Sequence, residues 1–462
     1  MEFRRAPLNR DEASQRQRNP SEPSGQCDAS ACDAPASGQE LGLEQPVRRA
    51  LAITALVVAG ESVFLLPFVL ARVFRPTILD VFGLTNLELG AAYAVYGVVA
   101  IAAYFFGGLI ADRFPARTML TIALTSTAAG GLVMMAIPSR STLAILYGYW
   151  GITTIALFWA PLIRATREWG AGESQSRAFG LLEGGRGALA AVMASIMVIL
   201  FAALLPEQSE TANLAQRTES IRHIILLLSA TTCGAALLIW MALPKRKAAP
   251  QSAMFMSGVA HVFLMPSVWL QAVVILCAYV GYKAIDDFSL YANQVIGLNE
   301  VDAARAGVAS LWIRPVAAIG AGYLAERIGA PIMTVSCFVL LAASGAVLAS
   351  GAIGAGMVAM FVLTIVSSSF GIFALRGLYF AIMQDGKIPM EHTGSAVGFA
   401  SVIGFTPDIF MGPLMGYLLD QSPGAAGHYQ VFWVVTAFAL LGVIASALFV
   451  RLARQSRAPA NQ

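Results

Sequence analysis

The sequence predicts an all-α integral membrane protein with about twelve transmembrane helices. Of its 462 residues, 57% are hydrophobic and 12% are charged, which is about half the charged fraction of a typical soluble domain. Apolar stretches of about 20 residues, the length needed to cross a bilayer, recur between short polar breaks. The short alternating strands of outer-membrane barrels are absent, and lipid cannot satisfy an open backbone, so the spans are predicted to be helices.

The chain begins with a polar segment, residues 1–47, which has no apolar stretch of the signal-peptide kind. We expect it to be a disordered cytoplasmic tail. The predicted spans then cover residues 50–72, 87–111, 118–137, 142–164, 178–205, 222–243, 267–291, 302–325, 331–350, 354–383, 394–419 and 428–451. The sequence thus predicts a six-helix half at 48–243, a cytoplasmic linker at 244–266, a second six-helix half at 267–455 and a short tail at 456–462.

The orientation is predicted from the Lys and Arg residues near the span ends. Fourteen of them lie on the side of the N-terminus and six on the opposite side, without counting the tail. The six are Arg72, Arg75, Arg140, Arg217, Arg222 and Arg305. This bias predicts that both termini are cytoplasmic.

Composition also argues against several classes of protein. A net charge of +3 provides no basic face for nucleic acid. Of the five cysteines, Cys27 and Cys32 lack the paired spacing of a zinc site, and the others fall in apolar stretches. We therefore predict no metal, no cofactor and no enzymatic activity, because the spans contain no nucleophile–base pair or phosphate-binding loop.

An internal repeat relates the two halves. The loop after the second span reads GLIADRFPAR from Gly108, and the loop after the eighth reads GYLAERIGAP from Gly322. Aligning them pairs Asp112 with Glu326 and Arg113 with Arg327, at an offset of 214 residues. Similar loops at matching topological positions indicate duplication of a six-helix unit.

These loops resemble the motif between helices two and three of the major facilitator superfamily of secondary transporters. Pro115 and Ala116 depart from that motif. The resemblance implies two pseudo-symmetric six-helix bundles around a central cavity, with alternating access. It also implies that the motif gates the cytoplasmic side, or, alternatively, that its arginines only fix the topology. The residues concerned are Gly108, Asp112, Arg113, Arg117, Gly322, Glu326 and Arg327.

Three ionisable residues lie near the predicted midplane, where a buried charge needs a reason. At a rise of about 1.5 Å per residue, Glu61 lies roughly 16 Å into its span, Arg186 roughly 12 Å and Arg314 roughly 18 Å. In the family's architecture the spans of Arg186 and Arg314 face each other. Their forked donors suit carboxylate, sulfonate or phosphate groups. The alternative is structural salt bridges, Arg186 with Glu183 and Arg314 with a carboxylate such as Asp408.

Further candidates flank this pair. Lys283 and Tyr282 belong to a polar cluster with Asp286 and Asp287, which we place toward the outer mouth as a gate, a substrate contact or a neutralised helix end. Arg376 is a further candidate substrate contact. Asp408 follows Pro407, which is expected to break the eleventh span.

Proton carriage requires a carboxylate or a histidine. The four histidines lie at predicted span ends or in loops, which leaves Glu61, Glu183 and Asp408 as proton-coupling candidates beside Asp286 and Asp287. Glu61 is favoured because no partner lies one turn away on its own helix, although permanent structural pairing of Glu61 is the alternative.

The sequence therefore predicts a secondary active transporter of a small organic anion. Its predicted partners are that anion, protons and the lipid bilayer, with no nucleic acid. We expect a proton-coupled symporter, monomeric, in the inner membrane. A proton-driven exporter of drugs or metabolites is the nearest alternative, and a membrane-embedded sensor or enzyme is an alternative of another class.

Overall fold

Long apolar helices make up the fold, with no strand among the residues described. The computed structural model describes residues 44–111, 113–169, 175–205, 213–244, 265–379, 382 and 393–455. Over these ranges it contains 12 helices long and apolar enough to cross a membrane, which confirms the predicted number. Residues 1–43 of the predicted N-terminal tail, most of the 244–266 linker, the tail at 456–462 and Asp112 lie outside the described residues. The last four residues of the predicted 1–47 tail are helical instead, because α1 begins at Glu44.

The twelve helices follow one another along the chain. Their bounds are α1 (Glu44–Phe64, continued by Leu65–Val69 and Leu70–Val73), α2 (Asn86–Ala111), α3 (Ala116–Met135), α4 (Arg140–Gly151, Ile152–Trp159 and Ala160–Trp169), α5 (Gln175–Leu204), α6 (Leu214–Ala242), α7 (Pro266–Ala284, Ile285–Asp287 and Phe288–Gln294), α8 (Glu300–Ile328), α9 (Ala330–Ala349), α10 (Val358–Leu378), α11 (Thr393–Gly404 and Pro407–Gln421) and α12 (Ala425–Gln455). A short helix, Arg75–Phe82, lies between α1 and α2.

Several helices change their winding at chemically identifiable points. Pro67 lies in the π-helical segment of α1, and Pro161 lies two residues after the end of that of α4, since proline cannot donate the usual backbone hydrogen bond. In α11 the two helical segments are separated at residues 405–406, immediately before Pro407. The expected break beside Asp408 is confirmed.

Side-chain caps fix the starts of other helices. The Asn213 side chain accepts a hydrogen bond from the backbone N–H of Gln216. The Gln216 side chain accepts one from the backbone N–H of Asn213, and the two bonds form a capping box. Asn299 caps α8 through the backbone of Asp302. These caps set the starting points of two helices that lie at the same end of the molecule.

The two ends of the molecule need names. We call the end at which α1 begins and α12 ends the terminal end, and the opposite end, at which α1 ends and α2 begins, the distal end.

At the distal end, α2 and α11 approach so closely that their backbones touch. A Cβ atom on Gly90 would lie 2.2 Å from the carbonyl oxygen of Gly412, and one on Gly416 would lie 2.4 Å from that of Asn86. Glycine therefore permits this contact between the first and second halves of the chain.

Candidate functional site

A cluster of charged side chains occupies the middle of the molecule, where helices of the two halves meet. Glu61 of α1 pairs with Arg186 of α5 (Oε2 to Nε, 3.4 Å) and with Arg314 of α8 (Oε1 to Nη1, 3.2 Å). Glu183 of α5 also contacts both guanidiniums, at 2.5 Å from Arg186 and 3.5 Å from Arg314. We call these four residues, together with Arg376, the central cluster.

The two predicted arginines are brought together, and carboxylates lie between them. The predicted pairing of Arg186 with Glu183 is present, but the suggested partner of Arg314 is wrong. Arg314 pairs with Glu61 and Glu183, whereas Asp408 contacts Lys283 (Oδ1 to Nζ, 3.4 Å). Buried arginines are retained here by charge compensation across the two halves.

Arg376 differs from the other two arginines. Its guanidinium carbon lies 4.0 Å from the centre of the Tyr282 ring, but among the residues described it forms no ion pair. Its Nη1 atom is buried without a hydrogen-bond partner. The central cluster thus combines three guanidiniums with two carboxylates, which leaves one positive charge without a compensating side chain among the described residues.

A cavity borders this uncompensated charge. It contains about 290 Å³ of atom-free space, part of which is open to solvent, and it is lined by Glu183, Arg314, Ala318, Phe373, Arg376 and Gly377. On α8 and α10 these residues lie level with Arg314 or farther toward the terminal end, and Glu183 lies on the terminal side of Arg186. The side chain of Glu183 is 45% exposed, whereas that of Glu61 is 4% exposed. The cavity therefore reaches the central cluster from the terminal side.

Tyr282 separates the central cluster from a second charged cluster nearer the distal end. Its ring lies against Arg376 on one side and 4.7 Å from the guanidinium of Arg72 on the other. Its hydroxyl accepts a hydrogen bond of 3.1 Å from Arg72. The Tyr282 side chain thus contacts Arg376 of the central cluster and Arg72 of the second cluster, and its ring stabilises both cations.

The second cluster, which we call the distal cluster, joins the two halves. Arg72 of α1 pairs with Asp286 of α7 (Nε to Oδ1, 2.6 Å), and both side chains are buried. Arg75 donates to the backbone oxygen of Asp286 at 3.4 Å. Lys283 lies 3.6 Å from Asp286 and 3.4 Å from Asp408. Lys283 is 2% exposed, so the cluster is buried and does not lie at an open mouth.

Aromatic rings complete the surroundings of Lys283 and Asp408. The Lys283 ammonium lies 5.2 Å from the ring centres of both Phe68 and Tyr93, which belong to the first half. The Tyr279 hydroxyl donates to both carboxylate oxygens of Asp408, at 3.2 and 3.0 Å. Asp408, predicted as a proton-coupling residue, thus belongs to the distal cluster.

Further bonds across the halves lie at the distal end. Asp420 of α11 accepts from the backbone of Asn86 at 3.1 Å and from that of Leu87 at 2.8 Å. Arg217 of α6 pairs with Glu300 of α8 at 3.1 Å, and Thr77 donates to the same carboxylate at 3.1 Å. The distal end is therefore closed by charged contacts as well as by the glycine contact of α2 with α11.

The duplicated motif lies at the terminal end, where the arrangement is different. Gly322, Glu326 and Arg327 are exposed, and Arg327 bonds to Tyr323 of its own helix. Arg113 is exposed, while the Arg117 guanidinium lies 4.1 Å from the centre of the Trp240 ring in the same half. Gly108 lies within α2. None of the motif side chains that the structure describes forms an ion pair, so gating by this motif stays a prediction.

Sequence reasoning missed two elements of these clusters. Arg72 and Arg75 counted as loop charges that set the topology, yet they are 4% and 3% exposed. The repeat contains a signal that points to one of their contacts: Arg72 and Asp286 are 214 residues apart, the same offset that relates Gly108 to Gly322. They therefore occupy equivalent positions in the two halves.

His428 lies near a span end, as predicted, because α12 begins at Ala425. The sequence did not indicate that its side chain is fully buried and contacts Asp287. Its burial depends on α7 packing over that end.

Twelve spanning helices, a buried charged centre shared by both halves and a cavity reaching it from one end are the features of a membrane transporter. The family model of the Major Facilitator Superfamily matches residues 51–407. The chain therefore belongs to the Major Facilitator Superfamily, as its loop motifs indicated, and it is a secondary transporter.

Two curated relatives from Escherichia coli strain K12 cover nearly the whole chain. Inner membrane protein YqcE is 25% identical over 426 residues, which span 89% of this chain and 97% of that protein. Inner membrane protein YihN is 24% identical over 428 residues, which span 87% and 95%. Both relatives are inner membrane proteins, in keeping with the predicted location.

Solved structures share the fold at lower sequence identity. A variant of the nucleoside transporter NupG superposes with a TM-score of 0.66 at 13% identity, covering 87% of this chain and 99% of that chain. A bacterial homologue of the human lysosomal transporter Spinster, inward-facing and unoccupied, gives a TM-score of 0.65 at 15% identity, covering 89% and 99%. These similarities establish the fold.

Proposed function

We propose that this protein transports a small organic anion, a carboxylate, sulfonate or phosphate ester, by alternating access coupled to protons. The observation that carries the proposal is the Arg376 guanidinium, which lies at the cavity without a carboxylate partner among the described residues. An anion bound there would neutralise the positive charge that the central cluster leaves in excess. Arg314, on the opposite wall of the same cavity, would supply a second forked donor.

The proposed orientation places the terminal end in the cytoplasm, in line with the bias of Lys and Arg residues. The cavity on the terminal side and the closed distal end then correspond to a state that faces the cytoplasm. The motif loops would draw together in the opposite state, when the distal contacts separate. Such exchange between two sets of contacts is the general requirement for alternating access.

Proton coupling follows from competition within the central cluster. Glu61 and Glu183 share Arg186 and Arg314. An anion that takes over Arg314 leaves these two carboxylates with less compensation, and a proton on one of them restores the balance. We assign this proton first to Glu61, because its side chain is enclosed by both arginines and shielded from water.

A thermal-stability screen tests the substrate class. A ligand that binds the folded protein raises its apparent stability, so carboxylates, sulfonates and phosphate esters are compared with neutral nucleosides. Loss of one charge-assisted contact costs about 1.5–3 kcal/mol. We therefore expect Arg376→Gln to weaken binding of the active anion at least tenfold. Arg305→Gln on α8, whose side chain is 64% exposed, is the matched control.

Uptake into proteoliposomes tests the coupling. Glu61→Gln should retain counterflow of labelled substrate but lose accumulation driven by a pH gradient. If Glu61→Gln still accumulated substrate and Glu183→Gln did not, the proton-coupling role would be assigned to Glu183 instead. Stabilisation by anions that is equal in wild type and Arg376→Gln would overturn the anion site.

Export of drugs or metabolites is a second candidate, because an aromatic ring also lines the cavity. Phe373 lines the cavity itself, and its ring centre lies 6.4 Å from that of Tyr282. Stabilisation by apolar cations, with no response to any anion, would favour this alternative.

A further inference from the structure

A buried pair, Asp287 and His428, lies apart from both charged clusters. The Nδ1 atom of His428 is 2.7 Å from Oδ2 of Asp287, and its Nε2 atom is 3.0 Å from Oε1 of Gln294. Both paired side chains are 0% exposed. Both ring nitrogens thus face oxygen atoms, although a neutral imidazole carries only one N–H group.

An imidazolium satisfies this geometry because it donates from both nitrogens. It also compensates the Asp287 carboxylate, whose other oxygen, Oδ1, is buried without a hydrogen-bond partner. If His428 lost its proton, a buried carboxylate would remain without a cation, which is strongly unfavourable. The pair therefore has the chemistry of a proton-binding site.

Among the described residues, few other titratable groups lie on the elements packed around this pair. From α11, Asp420 accepts hydrogen bonds from the backbone of Asn86 and Leu87. From α7, the Tyr291 ring lies 5.3 Å from that of His428, and its hydroxyl donates to the backbone of Leu348. The sequence of α9 contains no charged residue, and that of α10 contains Arg376, near the opposite end. From α8, Glu300 is paired with Arg217 and Asp302 with Arg305. On α12 itself, the neighbouring Tyr429 side chain packs against Gly351.

The position of Asp287 connects this pair to the distal closure. Asp286 and Asp287 are consecutive residues of the 3₁₀ turn Ile285–Asp287 within α7. The side chain of Asp286 faces Arg72 of the first half, while that of Asp287 faces His428 of α12. The next residue but one, Ser289, donates to the backbone oxygen of Arg72 at 2.9 Å. One short turn therefore holds both the proton pair and the main contact across the distal end.

We propose that Asp287, His428 and Gln294 form a proton-binding site whose occupancy favours closure of the distal end. Protonated His428 holds the 3₁₀ turn against α12 and so presents Asp286 to Arg72. Loss of the proton leaves two adjacent carboxylates in the turn with less compensation, which favours its rearrangement and the separation of the halves. The state that binds the proton more tightly is the closed one, so acid favours closure.

This inference deepens the proposed proton coupling and rests on it for its place in the transport cycle. With the distal end outside the cell, a proton taken up from outside would close that end behind a bound substrate. The proton site is nevertheless testable without any substrate. Failure to find a transported anion and failure of the proton site are therefore separate results.

Distance measurement between spin labels tests the coupling to closure. Labels are placed at the distal end on Ser141→Cys and Ala355→Cys, in full-length protein in nanodiscs with the native cysteines replaced. When the pH is raised from about 5 to about 8, the range in which histidines change charge, we expect the population with the short distance to fall about tenfold relative to the population with the long distance. His428→Gln should abolish this dependence on pH.

His223→Gln is the matched control, because His223 also lies at the distal end but is 48% exposed in its side chain. It should leave the dependence on pH unchanged. The same pH dependence in His428→Gln as in His223→Gln would overturn the proposal.

A second measurement does not alter the pair at all. His223, His261 and His392 are replaced by Gln, and the remaining histidine is labelled with ¹⁵N. We expect the nitrogen signals of an imidazolium at the acid end of the range. A neutral ring throughout the range would overturn the proposal, whether or not the His428→Gln variant folds.

Discussion

The distal and terminal ends of the molecule are built from similar kinds of residue but hold the two halves in different ways. At the distal end, the buried Arg72–Asp286 pair and the Gly90–Gly412 contact join the halves. At the terminal end, the described side chains of the duplicated motif are exposed or contact their own half, as Arg327 and Arg117 do. The comparison teaches that charge contributes to closure where it is desolvated and paired across the halves. It contributes little where water surrounds it.

The largest expected effect comes from breaking the buried distal pair. In Asp286→Asn, Arg72 loses its carboxylate while remaining buried, which costs the closed state roughly 3–5 kcal/mol. We expect the distal labels on Ser141→Cys and Ala355→Cys to report mainly the long distance.

An exposed pair at the same end provides the control. Arg140 pairs with Glu88 at 2.7 Å, and its side chain is 73% exposed. Arg140→Gln should change the distance distribution little, since an exposed pair contributes about 0–1 kcal/mol. If Asp286→Asn remained as closed as Arg140→Gln, burial of the pair would not be what closes the distal end.

A smaller effect is expected from the glycine contact. A Cβ atom on Gly90 would lie 2.2 Å from the carbonyl oxygen of Gly412, so Gly90→Ala forces α2 and α11 apart. Overpacking of this kind costs about 1–3 kcal/mol. We expect a partial shift toward the long distal distance.

Gly234→Ala on α6 is the matched control, because nothing lies within 4 Å of a Cβ atom at that position. It should leave the distances as in wild type. Equal behaviour of the two variants would show that the α2–α11 contact adapts without cost.

The smallest effect on the distal distances is expected at the terminal end. Arg327→Ala removes an exposed guanidinium that lies on Tyr323 of its own helix, so the closed distal end should persist with a change below about 1 kcal/mol. Arg454→Ala, at the end of α12, is the control. If Arg327→Ala opened or tightened the distal end, the motif would already act across the halves in this state.

Much of the fold and part of the site were predictable. Apolar length predicted twelve spans, and helical rise placed Glu61, Arg186 and Arg314 at similar depth. The partners were less predictable: Arg314 pairs with Glu61, which is 253 residues away, and not with Asp408. Depth follows from counting residues along one helix, whereas a partner depends on how two helices are rotated toward each other.

The omissions have the same origin. Arg72, Arg75 and His428 lie near span ends in the sequence, so their burial was not predicted. Their burial results from α7, α8 and α12 packing over those ends. The offset of 214 residues, shared by the repeat and by Arg72 with Asp286, is a sequence signal that could have indicated one of these contacts.

Residue order alone was enough to establish the membrane-spanning helices, the duplication and the family, because hydropathy and helix breaks depend on neighbours within about 20 residues. Folding in three dimensions selected which charges neutralise each other, and it placed Arg376 at the cavity with no ion pair to any described residue. It also separated a closed distal end from a terminal end with exposed motif loops. These features depend on contacts between helices that are far apart in the chain, and burial makes each contact either strongly favourable or strongly unfavourable.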